Sequence, residues 1–148
     1  MKATHNPPTD LQVTPADLLR MAALYLRRHG WHQGTYYPAA VATDTLTSPA
    51  CAVGAIGMAA AGHRVDHFYS LDCGTQVAFR TAVGVFTTYL DDYEPICTVD
   101  DDGYLIDEHT SPYSWNDDPG RTAEQVITAL ETAADEWDRL HTTGGENR

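Results

Sequence analysis

Along most of this chain apolar residues recur with the period of a helix, and along one stretch with that of a strand. Leu18, Leu19, Ala22, Tyr25, Leu26 and His29 make one stripe, while Asp17, Arg20, Arg27 and Arg28 fall outside it. Thr14, Pro15 and Asp17 read as cap, first helical position and first-turn acid, and Gly30 as the stop. A second helix is expected in "TSPACAVGAIGMAAAGH", residues 47 to 63, where Ser48 and Pro49 repeat the cap-then-proline signal and Gly62 closes the segment. A third runs from Thr75 to Leu90, with Phe79, Ala82, Val83, Phe86, Tyr89 and Leu90 on one face. The fourth begins at a capping box of Thr122 and Gln125. It carries Val126, Ile127, Leu130, Ala133, Ala134, Trp137 and Leu140 opposite Glu124, Thr128, Glu131, Asp135 and Arg139.

Between the last two helices, Ile96 to Val99 and Tyr104 to Ile106 flank an acidic turn ending in Gly103, the pattern of a short β-hairpin. Pro7 and Pro8 mark residues 1–13 as an extended arm, and residues 142–148, TTGGENR, as a frayed tail. The expected fold is mainly α: a compact single domain over 14–141, with four helices around a small-residue central helix and a short hairpin. An α+β arrangement is the alternative.

A chain of 148 residues is long enough for one real core, since a domain of this size buries about 70% of its unfolded surface. With 43% hydrophobic and 20% charged residues the composition is globular. No apolar run approaches the roughly 18 residues that cross a bilayer, and MKATHNPPTD does not read as a signal peptide. A cytoplasmic protein is expected. The three cysteines, Cys51, Cys73 and Cys97, lack CxxC spacing, so reduced thiols are expected rather than disulfides or zinc. A net charge of −12 argues against direct nucleic-acid binding and permits a basic protein partner. Of nine basic residues only Lys2 is a lysine, a bias that points to GC-rich coding in an actinobacterium or its phage.

Cys51 admits two readings. Gly54 and Gly57 each cost a helix roughly 0.5–1 kcal/mol relative to alanine, which close approach of a neighbouring helix would offset; Cys51 is then a core thiol. If Pro49 is the first helical residue, Cys51 is the third, where the helix dipole favours a thiolate, and His63, His67 and Asn116 lie downstream as base and orienter candidates. His63 and His67 also have the i, i+4 spacing of metal ligands, but Gly62 ends the helix before them, and no metal site is expected. His29 and His32 make a weaker pair still. Asp100, Asp102, Gly103 and Leu105 fit a calcium loop, whereas Thr98 and His109 stand where its first and twelfth ligands belong, so a hairpin turn is the better reading. No cofactor is expected.

Residues 91–118 hold ten of the 21 acids and no lysine or arginine. Tyr93, Tyr104, Tyr113 and Trp115 are interleaved with them. That mixture is either a solvated face or a surface for gripping a basic partner, with Tyr93, Asp100, Asp101, Asp102, Tyr104, Asp107, Glu108 and Tyr113 as its candidate contacts. In "SWNDDPGRTAEQV", Trp115 reads as a buried anchor, Asp118 to Gly120 as a turn, Thr122 as the cap, and Asn116 as a cap or a bridge between loops.

The landmarks "HGWHQG" (29–34), "CAVGAI" (51–56) and "WNDDPGRTAEQVITALETAA" (115–134) resemble those of a family of small uncharacterised proteins from actinobacteria and their phages, over about residues 15–140. The resemblance implies a recurrent compact fold and no activity; the acidic segment around residues 100–108 looks like an embellishment. The expected function is a non-enzymatic interaction module, phage-encoded and acting on a host protein. The alternative is a small hydrolase or transferase using Cys51.

Overall fold

Thr14 opens the first helix as its pattern predicts. Its hydroxyl accepts from Asp17 N at 3.1 Å, and the Asp17 carboxylate accepts from Thr14 N at 2.9 Å. The computed structural model describes residues 13–39, 47–106 and 109–146. Five α-helices follow one another: α1 (Pro15–His29), α2 (Ala52–Ala61), α3 (Cys73–Tyr93), α4 (Pro112–Asn116) and α5 (Ala123–Glu146), with a 3-10 turn at Phe68–Ser70 before α3. The protein is mainly helical, and no helix among the described residues is long and apolar enough to cross a membrane.

α1 lies along α5, burying Leu18, Leu19, Ala22, Ala23 and Leu26 against Val126, Ile127, Leu130, Ala133 and Ala134. Arg20 reaches Asp135 and Asp138, and Arg27 reaches Glu131, along the exposed edge of this contact. Such surface pairs set alignment more than stability. α2 is slotted between α1, α3 and α4 with every residue from Ala52 to Met58 buried.

The glycines of α2 are required by packing, but not by a neighbouring helix. A Cβ on Gly54 would stand 2.6 Å from the Tyr36 carbonyl oxygen, and one on Gly57 would stand 2.5 Å from the Phe68 ring. A loop carbonyl and a ring from the 3-10 turn therefore press on α2. Its start also differs from expectation: Ser48 and Pro49 do not open the helix, because Ala50 is drawn into a parallel bridge with Trp31.

Three further expectations are corrected. The hairpin is absent as a pair of strands among the described residues; only a single antiparallel bridge joins Val99 to Leu105. Asp100 takes the N–H groups of Asp102 and Tyr104 on its carboxylate, and the exposed Val99, Leu105 and Ile106 have no layer to pack on among the described residues, so the ladder does not propagate. The expected helices are four; a fifth, α4, forms with Ser111 as cap and Pro112 in its first turn. α5 continues to Glu146, so residues 142–146 are helical rather than frayed. Most of the expected arm, residues 1–12, lies outside the described residues.

Candidate functional site

Cys51 is the N-cap of α2 rather than its third residue. Its sulfur accepts from Gly54 N at 3.3 Å, its own N–H donates to the Tyr36 carbonyl at 2.9 Å, and it is buried. Burial pushes the thiol above its ordinary pKa, and the N–H groups of Gly54 and Val53 do not reverse that. The dipole that favours a thiolate is present; desolvation wins.

Asn116 fastens this corner. Its Oδ1 accepts from Trp31 Nε1 at 2.7 Å and from Ala52 N at 3.0 Å, while its Nδ2 donates to the His32 carbonyl at 3.1 Å and to Asp117 Oδ1 at 2.9 Å. Gln33 adds bonds to the carbonyls of Asn116 and Asp118, and Gly34 N donates to Asp117 Oδ1. The segments 29–34, 51–56 and 115–118 thus converge, and a cleft of about 320 Å³ opens between them, lined by Gly34, Thr35, Tyr36, Cys51, Tyr113, Asn116 and Asp117. The Tyr36 and Tyr113 hydroxyls bond each other at 3.2 Å, and burial followed by that bond holds Tyr113 far above the usual phenol range.

Cys51 and Asn116 therefore meet, whereas His63 and His67 do not join them. Both histidines follow the C-terminus of α2, whose ten residues span about 15 Å from the Cys51 end. Gly62 ends α2 in the left-handed conformation at φ 80°; His63 Nδ1 bonds the Arg64 carbonyl, and His67 precedes the 3-10 turn against the Tyr69 ring. No group of three side chains able to hold a metal is found among the described residues. His32 approaches the cleft but is bonded through Nε2 to Thr35 Oγ1 at 2.9 Å.

The acidic segment is a tight turn held at its base. Asp100 N donates to the Tyr104 carbonyl, and Gly103 takes φ 87° at the tip. On α3, Asp91 accepts from Thr110 N at 2.5 Å and from His109 Nδ1 at 2.8 Å. Burial raises its pKa, but these bonds outweigh burial and hold the carboxyl below its ordinary value. Asp100, Asp101, Asp102 and Tyr104 are exposed, joined by Val99, Leu105 and Ile106, whose β-prone pattern predicts paired strands. Tyr93 stands beside Glu136 at the end of α3, and Tyr113 belongs to the cleft, so the two do not share the turn. Asp107 and Glu108 lie outside the described residues.

A family model described as a family of unknown function, DUF6197, matches residues 10–136. The chain belongs to that family. Comparison with curated proteins and with solved structures finds no significant match. The matched part of this DUF6197 chain contains both the cleft and the acidic turn, and the family description attaches no activity to either. Sequence reasoning missed Tyr36 and Gly34 as cleft residues; the one local sign was a glycine in an otherwise polar loop, here at φ 98°.

Proposed function

We propose that this DUF6197 protein is a non-enzymatic interaction module that docks a basic protein partner through its acidic turn. The observation that carries the reading is the exposure of four apolar side chains at one turn. Val99, Tyr104, Leu105 and Ile106 are each between 53% and 72% exposed, directly beside Asp101 and Asp102. An aromatic and aliphatic centre rimmed by charge is the composition of a binding patch, and a chain at −12 with no lysine or arginine over 91–118 selects a cationic surface. The eight arginines against one lysine support an actinobacterial or phage gene, and with it action on a host protein. Free thiols at Cys51, Cys73 and Cys97 support a cytoplasmic setting. The reading of Cys51 as a nucleophile requires a thiolate that burial opposes and a histidine that stands elsewhere.

The test is retention of host proteins on the immobilised chain under a salt gradient, in parallel with the Asp101→Asn/Asp102→Asn and Tyr104→Ala/Leu105→Ala variants. Asp100 is spared because its carboxylate builds the turn. A partner released by several hundred millimolar salt, and lost from both variants, is expected. Retention that ignores both salt and variants would discard the proposal.

A further inference from the structure

We infer that the groove between α3 and α5 receives an amphipathic helix of the basic partner, with an apolar ridge flanked by lysine or arginine. The inference deepens the interaction reading and rests on it for the partner's charge. Two observations lead to the groove independently.

The first is Gly84, midway along the 21 residues of α3. A glycine there costs about 1 kcal/mol relative to alanine. For Gly54 and Gly57 the chain itself supplies the reason, as the carbonyl of Tyr36 and the ring of Phe68 occupy the space of a Cβ. At Gly84 a Cβ would meet nothing within 4 Å among the described residues. The folded chain does not need this glycine; a surface that must admit a closely approaching backbone does.

The second is the apolar stripe of α5, which outruns the core. Val126, Ile127, Leu130, Ala133 and Ala134 are buried as the period predicts, but Trp137 is only half-buried and Leu140 is 61% exposed. These ends of the stripe and Gly84 line the same groove, of about 450 Å³, together with Val85, Tyr89 and Thr88. Thr88 donates its hydroxyl proton to the Gly84 carbonyl, so it offers no free donor to a ligand. The shape suits a helix laid in a groove through i, i+3, i+4 and i+7 anchors.

Charge selects the occupant. Asp92 and Glu136 line the groove; Glu136 is shared with Arg139 and Tyr93, and His141 stacks on Trp137 at 4.1 Å. A second copy would add another chain of net charge −12, whereas a cationic helix meets the carboxylates of Asp92 and Glu136 that line the groove.

The probe is a synthetic leucine–lysine peptide of about 18 residues, five helical turns, with leucines at helical spacing. A scrambled peptide of the same composition is the control, and binding is read by fluorescence anisotropy in about 0.15 M salt. The amphipathic peptide is expected to bind at least about tenfold tighter than the scrambled one, and Gly84→Phe, which fills the groove where space is open, to weaken it about tenfold. Leu140→Ala is a second variant at an exposed position and is expected to weaken binding severalfold with an unchanged melting temperature. Equal binding of both peptides, or unaltered binding by the folded variants, overturns the inference. So does a dimer of the parent that Gly84→Phe dissolves, which assigns the groove to a second copy. Loss of peptide binding in Asp101→Asn/Asp102→Asn with full binding by Gly84→Phe overturns the groove and leaves the turn standing. The opposite pattern keeps the groove and removes the turn.

Discussion

Asn116 shows how much one side chain can hold. Its oxygen serves Trp31 and Ala52, 85 and 64 residues away in sequence, and its amide serves the His32 carbonyl. Asn116→Ala leaves a buried backbone N–H and an indole N–H without their acceptor, at about 1–3 kcal/mol for each orphaned group. A loss on the order of 3 kcal/mol is expected in thermal or urea melts; a change below about 0.5 kcal/mol would mean the corner is held by other contacts. The sequence marked Asn116 as a loop-bridging type but not its partners, because such separations carry no local period. Cys51 differs in kind: the sequence set it near the start of α2 without showing that it is the N-cap, and left the core thiol and the nucleophile both open. A thiol held above its ordinary pKa by burial reacts slowly with iodoacetamide, so mass spectrometry is expected to find the exposed Cys73 and Cys97 labelled in the native protein and Cys51 protected until unfolding. Fast labelling of Cys51 below pH 7 would restore the enzyme reading.

At the scale of elements, Asp91 ties α3 to the base of the acidic turn. Its carboxyl is held below its ordinary value in the folded chain, so its contribution is present above the unfolded pKa of about 3.9 and fades as pH falls through the lower folded value. Amide protection factors in residues 96–106, taken against the intrinsic exchange rate at each pH, are therefore expected to fall on acidification from pH 5 to pH 3. Asp91→Ala is expected to give the same loss of protection at pH 5 and to remove most of the pH dependence of the protection factors. Unchanged protection in the variant would place the hold elsewhere. Helix starts at Thr14 and Thr122 were legible because capping is a matter of three residues. The start of α2 was not, since the same Ser–Pro signal at Ser48 and Pro49 is overridden by the bridge between Ala50 and Trp31. α4, five residues long, is too short to show a period at all.

For the whole molecule, a charge of −12 makes self-association unfavourable near neutral pH and sets the isoelectric point near 4.7. Sedimentation velocity is expected to find a monomer at pH 7 and growing association as pH approaches 4.7; a stable dimer at pH 7 would contradict both this expectation and the choice of a basic partner for the groove. Local pattern was enough for the mainly helical class, the core faces of α1, α3 and α5, and the acidic stretch, because helical period, capping and charge are written within a few residues. The meeting of residues 29–34, 51–56 and 115–118 at one cleft came from packing, through hydrogen bonds spanning more than sixty residues. Packing also decided which apolar side chains stay outside. Leu140 obeys the same period as Leu130, and Ile106 the same β-prone pattern as a buried strand residue, yet whether either is covered depends on a neighbouring element, and among the described residues none covers these two positions.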